Sequence, residues 1–173
     1  MTADRSAPRR LFFALWPDDD LRRAIVERRG LIDGLARRRV PDHNLHLTLL
    51  FLGDQPAAEF DRVIAAADRI ESPPFELELD RFGWFSSARV VWLGGETVAA
   101  GTALVERLAG AMHGLGLDFD QRPWSPHVTL YRRVRDRPRL PHPPPLLWPA
   151  RDFALIESKS GCPYQVLRSW RLQ

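Results

Sequence analysis

The stretch that decides the fold runs from Asn44 to Gly53 and reads NLHLTLLFLG. Most of its residues are apolar, as expected of a strand that is buried in a protein core. It nevertheless carries a titratable ring, His46, and a hydroxyl, Thr48, two positions apart. Positions i and i+2 of a strand share a face, so we expect these two side chains to point the same way. The opposite face then carries Leu45, Leu47, Leu49 and Phe51.

A second stretch repeats this pattern later in the chain. The sequence HVTL, which begins at His127, repeats HLTL, which begins at His46, and each copy lies in a predicted strand after a helix-containing segment. On the second strand we expect Val128 and Leu130 to face away from His127 and Thr129. A single strand histidine is most often a core residue. Two copies in matching contexts favour two imidazoles and two hydroxyls that converge on one cleft.

Two histidines and two threonines without nearby acids suit in-line displacement at a phosphodiester. Imidazole has a pKa near ~6.5, so one ring can be neutral while its partner is protonated around neutral pH. The neutral ring can accept a proton from water and the protonated ring can give one to a leaving alkoxide, each transfer contributing roughly 10²–10⁴-fold in rate. The threonine hydroxyls can donate to the non-bridging oxygens as charge develops on them.

A metal centre is the weaker interpretation of the same residues. Each His-x-Thr unit supplies one good ligand, and His43 and His46 would lie on opposite faces of a strand. The sequence has no cluster of cysteines or carboxylates at ligand spacing. We therefore expect no bound metal and no other cofactor.

The composition is that of a packed globular protein, with 45% apolar and 27% charged residues among 173. No apolar run approaches the ~20 residues that span a bilayer, and the polar start MTADRSAPRR is not followed by the apolar segment of a signal peptide. The single cysteine, Cys162, excludes a disulfide within the chain and fits a reducing cytoplasm. Nothing in the sequence demands a membrane or a partner chain, so we expect a cytoplasmic monomer.

The charge balance is modestly basic and unusual in kind. The formal net charge is +3, Lys159 is the only lysine, and every other cation apart from the histidines is an arginine. Arginine binds phosphate oxygens through its planar fork, but base composition of the genome explains most such arginines equally well. A charge of +3 alone does not establish a nucleic-acid partner.

Apolar periodicity and turn residues predict an α+β protein with largely antiparallel sheets and helices on the outer faces. Strands are predicted at 10–17, 44–53, 75–80, 88–95, 125–132, 152–160 and 164–172, and a proline-rich loop at 133–150. Helices are predicted at 18–35, 56–70 and 96–115. The first of these has Asp18 at its N-cap, and its apolar face is predicted to carry Leu21, Ile25, Leu31 and Leu35.

These stretches resemble the two-histidine phosphoesterase superfamily, whose signature is a pair of His-x-Thr-x motifs. The resemblance is closest to the bacterial and archaeal RNA 2′,3′-cyclic phosphodiesterases, also called 2′-5′ RNA ligases. Besides the two motif strands, the matching stretches are RLFFAL (10–15), RVVWLGG (89–95), RPWSPHVTLYR (122–132) and FALIESKSGCPYQVLRSW (153–170). The resemblance implies one bilobal domain over residues 1–173, pseudo-two-fold symmetric, with two mainly antiparallel sheets that flank a central cleft and helices outside.

The resemblance also implies an activity, the metal-independent hydrolysis of a 2′,3′-cyclic phosphate to a 2′-phosphomonoester. The substrates would be RNA with 2′,3′-cyclic phosphate ends or small cyclic nucleotides. Carried over by motif position, His46 is the general acid, His127 is the general base, and Thr48 and Thr129 hold the phosphate. The residues of this sequence do not by themselves separate the two proton-transfer roles.

The resemblance implies an arginine just after the second motif, and this position falls on Arg132. Strand alternation opposes the assignment, because Arg132 is out of phase with His127 whereas Arg133 is in phase. Either the strand bends there or Arg133 contacts the phosphate, and the sequence leaves both open. Aromatic residues that could stack on a nucleobase are Phe12, Phe13, Trp84, Tyr131 and Tyr164.

Other functions for the same cleft remain open at this point. A non-catalytic module could bind RNA or nucleotide 2′-phosphates, although binding alone does not need two titratable rings. A cyclic phosphodiesterase could instead act on an ADP-ribose cyclic phosphate. Reversible joining of RNA ends through a 2′-5′ linkage follows from microscopic reversibility if a 5′-hydroxyl replaces water. The phosphate-binding loop GxxxxGK[ST] is missing from the sequence, so ATP-driven ligation has no support.

Overall fold

The computed structural model of the chain describes residues 7–35 and 38–173. Residues 1–6 of the polar start, in which we expected no signal peptide, lie outside these ranges. The strands are β1 (Arg9–Leu15), β2 (Arg38–Arg39), β3 (Leu47–Gln55), β4 (Phe75–Leu79), β5 (Arg81–Phe85), β6 (Val90–Gly94), β7 (His127–Arg132), β8 (Leu146–Ala150), β9 (Asp152–Glu157) and β10 (Gln165–Arg171). The α-helices are α1 (Asp19–Gly30), α2 (Phe60–Ala67) and α3 (Ala99–Gly114), and short 3₁₀ turns cover Asp33–Leu35, Asp42–Asn44 and Ala57–Glu59.

The sheets are antiparallel, and most strands belong to one large sheet with the order β10-β9-β1-β3-β7-β6-β5. The short strand β2 also pairs with β7, and β4 and β8 form a separate two-stranded sheet. Within residues 7–35 and 38–173, no helix has the length and apolar character needed to cross a membrane.

The large sheet consists of two halves that meet at one residue pair, Leu47 of β3 and Val128 of β7. We call β10-β9-β1-β3 the first lobe and β7-β6-β5 the second lobe. In the first lobe β1 and α1 precede the junction strand β3, and in the second lobe β6 and α3 precede the junction strand β7. The α+β class, the antiparallel sheets and the pseudo-two-fold arrangement predicted from the sequence are confirmed.

Strand β1 is central to the first lobe because both of its faces are covered. Leu11, Phe13 and Leu15 are fully buried in the main core, which also receives the apolar sides of the three helices. Burying one such side chain contributes roughly 1.5–3 kcal/mol. The opposite face forms a smaller cluster of Phe12, Ala14, Ala154 and Ile156, against which Trp16, Phe51 and Tyr164 pack.

Helix α1 begins where the sequence predicts but is shorter than expected. The Asp18 side chain accepts a hydrogen bond from the Leu21 backbone N–H at 2.8 Å, which satisfies one of the free donors of the first turn. The helix ends at Gly30, where the missing side chain lowers helix propensity. Leu31, which we placed on the apolar face, is therefore 52% exposed, and Ile32 is buried in its place.

A β-bulge in β3 changes the face on which Phe51 lies. Ala14 of β1 pairs with Thr48 whereas Phe13 pairs with Leu50, so Leu49 is an extra residue that reverses the alternation. The expectation that Phe51 opposes Thr48 is therefore wrong. Phe51 packs on the same side as Phe12, in the smaller cluster.

An equivalent bulge follows the second motif. Trp92 of β6 pairs with Thr129, but the preceding residue of β6 pairs with Tyr131, so Leu130 is the extra residue. The alternation reverses after Leu130, which turns Tyr131 toward the main core and Arg132 toward the side of Thr129. The first of the two alternatives left open by the sequence, a distortion of the strand, is the one that occurs.

Several strands were not predicted, and two of them have clear reasons. β8 lies in the segment predicted as a proline-rich loop, and it tolerates Pro149 because it belongs to a sheet of only two strands, in which it is an edge. β5 contains Gly83, a residue that is unfavourable in strands. A methyl group at Gly83 would overlap the indole ring of Trp92, and a methyl group at Gly94 would also crowd this ring.

Replacement of Gly83 tests this packing. We expect Gly83→Ala to lower the free energy of unfolding by about 1–3 kcal/mol, because the new methyl group displaces Trp92 from a filled space. Gly110→Ala is the matched control: nothing lies within 4 Å of the added carbon, and alanine is the better helix former. It should raise the stability by about 0.4–1 kcal/mol. Urea unfolding measures both changes, and equal stability of Gly83→Ala and the native chain would contradict the packing.

Candidate active site

The two motifs meet in one cleft at the junction of the lobes. Because Leu47 pairs with Val128 in antiparallel register, His46 lies across from Thr129 and Thr48 lies across from His127. The cleft has a volume of about 1400 Å³, and all four motif side chains line it. The leucine and valine between them are fully buried on the opposite face. The convergence predicted from the repeat is therefore present.

Each histidine ring is held by the carbonyl two residues before it. His46 Nδ1–H donates to the Asn44 carbonyl at 2.7 Å, and His127 Nδ1–H donates to the Ser125 carbonyl at 2.7 Å. These bonds fix the tautomer of the neutral ring, so that Nε2 is the nitrogen available for proton transfer. The Thr48 hydroxyl lies 3.1 Å from His46 Nε2 and can donate to it.

Aromatic rings pack around both imidazoles. Phe12 lies 4.8 Å from the His46 ring centre, Tyr164 meets it edge-on at 5.4 Å, and Trp16 is stacked almost parallel at 6.0 Å. Phe85 meets the His127 ring edge-on at 5.1 Å, and Trp92 lies at 6.1 Å. The rings restrict both imidazoles to one orientation and keep water away from their flat faces.

Burial lowers the pKa of His46 to about 4, partly opposed by the bond to the Asn44 carbonyl. The positive charges of Arg132, His127 and Arg22 lower it further. Among the described residues, no carboxylate is a main influence on this ring. His46 is therefore neutral at pH 7 in the unliganded protein, because its charged form is poorly solvated.

Burial also lowers the pKa of His127 below its usual value, and the charges of Arg122 and Arg132 act in the same direction. His127 is the more open of the two rings, whereas His46 is enclosed by three aromatic side chains. Both rings are thus uncharged near neutral pH. A bound anion would raise the pKa of both, since an opposite charge favours the protonated form.

Arg22 of α1 supports the segment that leads into the first motif. Its Nη1 donates to the carbonyls of Asp42 and Leu45 at 2.7 and 3.1 Å, and its Nη2 donates to the Pro17 carbonyl at 3.1 Å. The guanidinium also lies 5.4 Å from the Trp16 ring centre, on the ring that stacks against His46. One side chain thus joins the end of β1 to the peptide immediately before His46.

Asn44 links His46 to the turn between β9 and β10. Its carbonyl accepts from His46 Nδ1–H, and its side-chain Oδ1 accepts from the Tyr164 backbone N–H at 2.9 Å. The position of Tyr164 over His46 is therefore coupled to the orientation of the imidazole.

Only some of the predicted substrate-binding residues line the cleft. Arg132, Phe12, Trp84 and Tyr164 line the cleft. Arg133 is exposed, adopts a left-handed backbone conformation with φ of 62°, and is not among the cleft residues.

Two aromatic candidates must be corrected, because they lie in the core. Phe13 is fully buried on the main-core face of β1. The bulge at Leu130 turns Tyr131 into the same core, where its hydroxyl donates to Asp33 Oδ1 at 2.8 Å. Burial and this hydrogen bond raise the pKa of Tyr131 to about 12. Neither ring is available to stack on a base.

Sequence reasoning missed the residues that support the two imidazoles. Trp16 falls in a predicted strand, where an apolar ring carries no sign of function, and Phe85 lies on β5, a strand that the sequence does not predict. Arg22 and Asn44 act through contacts distant in sequence, and no local pattern marks them. In the described ranges, 7–35 and 38–173, no group of three His, Cys, Asp or Glu side chains is arranged to hold a metal ion.

Comparison with known proteins gives one consistent result. Residues 17–161 match the family model of the 2′-5′ RNA ligase superfamily. The chain is 34% identical to an RNA 2′,3′-cyclic phosphodiesterase of Thermus thermophilus, over 95% of this chain and 90% of that protein. It is 34% identical to the protein of the same name from Escherichia coli, over 96% and 98%. A crystal structure of E. coli LigT complexed with 3′-AMP superposes with a TM-score of 0.87 at 33% identity, over 95% of this chain and 98% of that chain.

Replacement of Arg22 tests its effect on His46. Arg22→Gln removes a positive charge and loosens the segment around the ring, so we expect the pKa of His46 to rise from about 4 toward its usual value. Arg22→Lys keeps the charge and should leave this pKa low. NMR titration of the His46 Cε1–H resonance measures the pKa.

Arg23→Gln is the matched control for Arg22→Gln. Arg23 is the next residue of the same helix, but it is exposed and pairs with Asp20. The pKa of His46 should not change in this variant. An unchanged pKa in Arg22→Gln, or an equal rise in Arg23→Gln, would contradict the effect assigned to Arg22.

Proposed function

The chain belongs to the 2′-5′ RNA ligase superfamily, and from this premise we infer that it is an RNA 2′,3′-cyclic phosphodiesterase that produces 2′-phosphomonoesters. One observation carries the proposal. Two imidazoles, each with Nδ1–H bonded to a carbonyl, line the same cleft with two threonine hydroxyls between them. Known relatives of similar length carry the same activity in their names.

The two histidines divide the proton transfers of hydrolysis. His127 accepts a proton from water as the oxygen attacks phosphorus, and His46 donates a proton to the leaving 3′-oxygen. The result is a 2′-phosphate and a free 3′-hydroxyl. This order of acid and base follows the family resemblance. The lowered pKa of His127 supports its assignment as the general base, because the ring is neutral and able to accept a proton at pH 7.

The threonines and Arg132 hold the phosphate. Thr48 and Thr129 line the cleft beside the opposite histidine, where their hydroxyls can donate to non-bridging oxygens. Arg132 also lines the cleft, and its charge acts on both imidazoles. A guanidinium in this place stabilises the additional negative charge of the pentavalent transition state.

Substrate binding itself prepares the acid. His46 has a pKa of about 4 before substrate arrives. The negative charge of the cyclic phosphate raises this pKa, so that the ring takes up the proton that it must donate. The aromatic side chains around His46 strengthen this response, because electrostatic interactions are larger where water is excluded.

The other candidate functions receive less support. A binding module would not require two rings with fixed tautomers, and nothing in the cleft favours an ADP-ribose cyclic phosphate over an RNA end. Reversible 2′-5′ ligation uses the same groups, with a 5′-hydroxyl in the place of water. Hydrolysis dominates in dilute solution because water is far more abundant than RNA ends.

The proposal also covers the substrates, the oligomeric state and the cellular location of the enzyme. Its substrates are RNA with 2′,3′-cyclic phosphate ends or small cyclic nucleotides, and it works as a monomer, since one chain supplies every group of the cleft. We place it in the cytoplasm, away from membranes. The free thiol of Cys162 is exposed, which suits a reducing compartment.

Replacement of either motif histidine tests the activity. His46→Ala and His127→Ala should each lower kcat by about 10²–10⁴-fold, because each removes one proton transfer. His142→Ala is the control, since this ring is exposed in the proline-rich segment. Hydrolysis of 2′,3′-cyclic AMP, followed by chromatography of the 2′- and 3′-phosphate products, measures the outcome.

The native enzyme should yield only the 2′-phosphate and should keep its activity in EDTA. Full activity in both single variants would reject the paired-histidine mechanism. Tight binding of the nucleotide without any turnover by the native protein would identify a binding module instead.

The pH dependence provides a further prediction. Both limbs of the kcat/KM profile should lie below pH 6.5, the usual imidazole value, because the pKa of each histidine is lowered in the free enzyme. Arg132→Gln should move both limbs to higher pH, since the charge of Arg132 lowers both pKa values. It should also raise KM by about tenfold or more through the loss of a charge-assisted phosphate contact.

Arg133→Gln is the matched control with the mononucleotide substrate. Its side chain lies outside the cleft, so both the pH profile and KM for 2′,3′-cyclic AMP should stay as in the native enzyme. If Arg133→Gln raises KM and Arg132→Gln does not, the assignment of the phosphate contact is wrong.

A further inference from the structure

The arginines of this chain differ in what they contact. Many are engaged: some pair with carboxylates, as Arg9 does with Glu157, and others donate to carbonyls, as Arg28 does to Pro144 and Pro145. Beyond the end of β7 the exposed arginines lack such partners among the carboxylates that the structure describes, and they are Arg133, Arg135, Arg137 and Arg139.

Two further exposed arginines lie beside this segment. Arg38 of β2 is opposite Arg132 in the sheet, and the Arg89 carbonyl accepts from the Val134 backbone N–H at 2.9 Å. Neither forms an ion pair with a described carboxylate. We call the set of exposed arginines next to the cleft the arginine track, and it consists of Arg38, Arg89, Arg133, Arg135, Arg137 and Arg139.

The arginine track is continuous with the active-site cleft. It begins directly after Arg132, which lines the cleft, and Trp84, another cleft residue, donates from Nε1 to the Val134 carbonyl at 3.1 Å. Farther along the segment, Arg28 of α1 donates to the carbonyls of Pro144 and Pro145. The track therefore starts at the rim of the cleft and leads away from it.

Little negative charge offsets the arginine track. Asp136 lies within the segment itself. The nearby Asp33 is engaged by the Tyr131 hydroxyl, and Asp42 is engaged by Arg29 and Arg39. Three exposed arginines elsewhere in the described residues also lack a described ion pair, and each has an acid close by: Asp68 and Asp152 adjoin Arg69 and Arg151 in sequence, and Asp152 lies opposite Arg171 in the sheet.

We propose that the arginine track binds the phosphodiester backbone of an RNA strand whose 3′ end, with its cyclic phosphate, occupies the cleft. This rests on the proposed function and narrows its substrate class to oligoribonucleotides. Guanidinium groups bind phosphate oxygens in a bidentate way and carry no preference for base sequence. A cyclic mononucleotide has no second phosphate with which to reach the track, so it gains nothing from these arginines.

The salt dependence of the native enzyme tests the proposal without any variant. We compare a fluorescein-labelled ten-nucleotide RNA that ends in a 2′,3′-cyclic phosphate with 2′,3′-cyclic AMP. For single strands, log affinity falls with log salt by roughly 0.7 for each neutralised phosphate. The slope of log kcat/KM against log salt should therefore be steeper for the RNA than for the mononucleotide by roughly 2, if about three phosphates are bound.

Charge removal from the track supplies the second test. The triple variant Arg135→Gln, Arg137→Gln and Arg139→Gln should lower kcat/KM for the RNA by about tenfold or more at low salt and remove most of the additional slope. Its kcat/KM for 2′,3′-cyclic AMP should stay within about twofold of native, because the cleft is untouched. The control is the triple variant Arg69→Gln, Arg151→Gln and Arg171→Gln, which loses the same charge elsewhere and should leave both substrates unaffected.

The outcomes distinguish this proposal from the proposed function. Fluorescence anisotropy with the same RNA ending in a 2′-phosphate measures binding to the arginine track independently of turnover. If the protein binds this RNA but does not hydrolyse the cyclic phosphate, the proposed function is rejected and the arginine track is not. The proposed RNA binding by the arginine track would be wrong if the salt slopes of kcat/KM were equal for the two substrates. It would also be wrong if the two triple variants lost kcat/KM for the RNA equally. The RNA proposal would also be wrong if the triple variant lost binding to anionic lipid vesicles but kept its binding to RNA, because this result would assign the surface to a membrane.

Discussion

A single backbone pair, Leu47 with Val128, positions the whole active site. Because β3 and β7 pair at this one position within the described part of the chain, the two lobes diverge on either side of it and leave a cleft rather than a closed sheet. Each partner of the pair is flanked by a histidine and a threonine, so the antiparallel register sets each imidazole opposite the hydroxyl of the other motif. The full burial of both apolar side chains stabilises this junction from the far side. Two half-sites that carry the same motif thus depend on one point of contact.

The two bulges are the second constraint on the site. Each inserts one residue directly after a motif threonine, and each reverses the strand alternation there. The third residue after each threonine consequently faces the cleft side, which places Phe51 in the first lobe and Arg132 in the second. The pseudo-symmetric scaffold therefore supplies an aromatic ring on one side and a cation on the other. The two half-sites therefore differ in chemistry at this position.

The sequence predicted the elements that depend on local pattern and missed those that depend on distant contacts. The faces of His46, Thr48, His127 and Thr129 followed from the two-residue period of a strand, and the convergence of both motifs followed from their repetition. A bulge has no clear signal in the sequence, so the positions of Phe51 and Tyr131 were mistaken. The strand β8 was hidden by its prolines, which are tolerated because only one edge of it is paired. The three hydrogen bonds of Arg22 and the link through Asn44 join segments that are far apart in the chain, and they emerge only in the folded protein.

The carbonyl bonds of the two Nδ1 atoms have a consequence for the catalytic cycle as a whole. Since Nδ1 is committed in each ring, every proton that enters or leaves must do so through Nε2, on the cleft side. In the proposed mechanism one turnover ends with the proton on His127 and none on His46, the reverse of the distribution with which the reaction begins. Departure of the anionic product then lowers the proton affinity of His127, which releases its proton to incoming solvent. The free enzyme thus returns to one uncharged resting state, and the next substrate regenerates the ionisation that it needs.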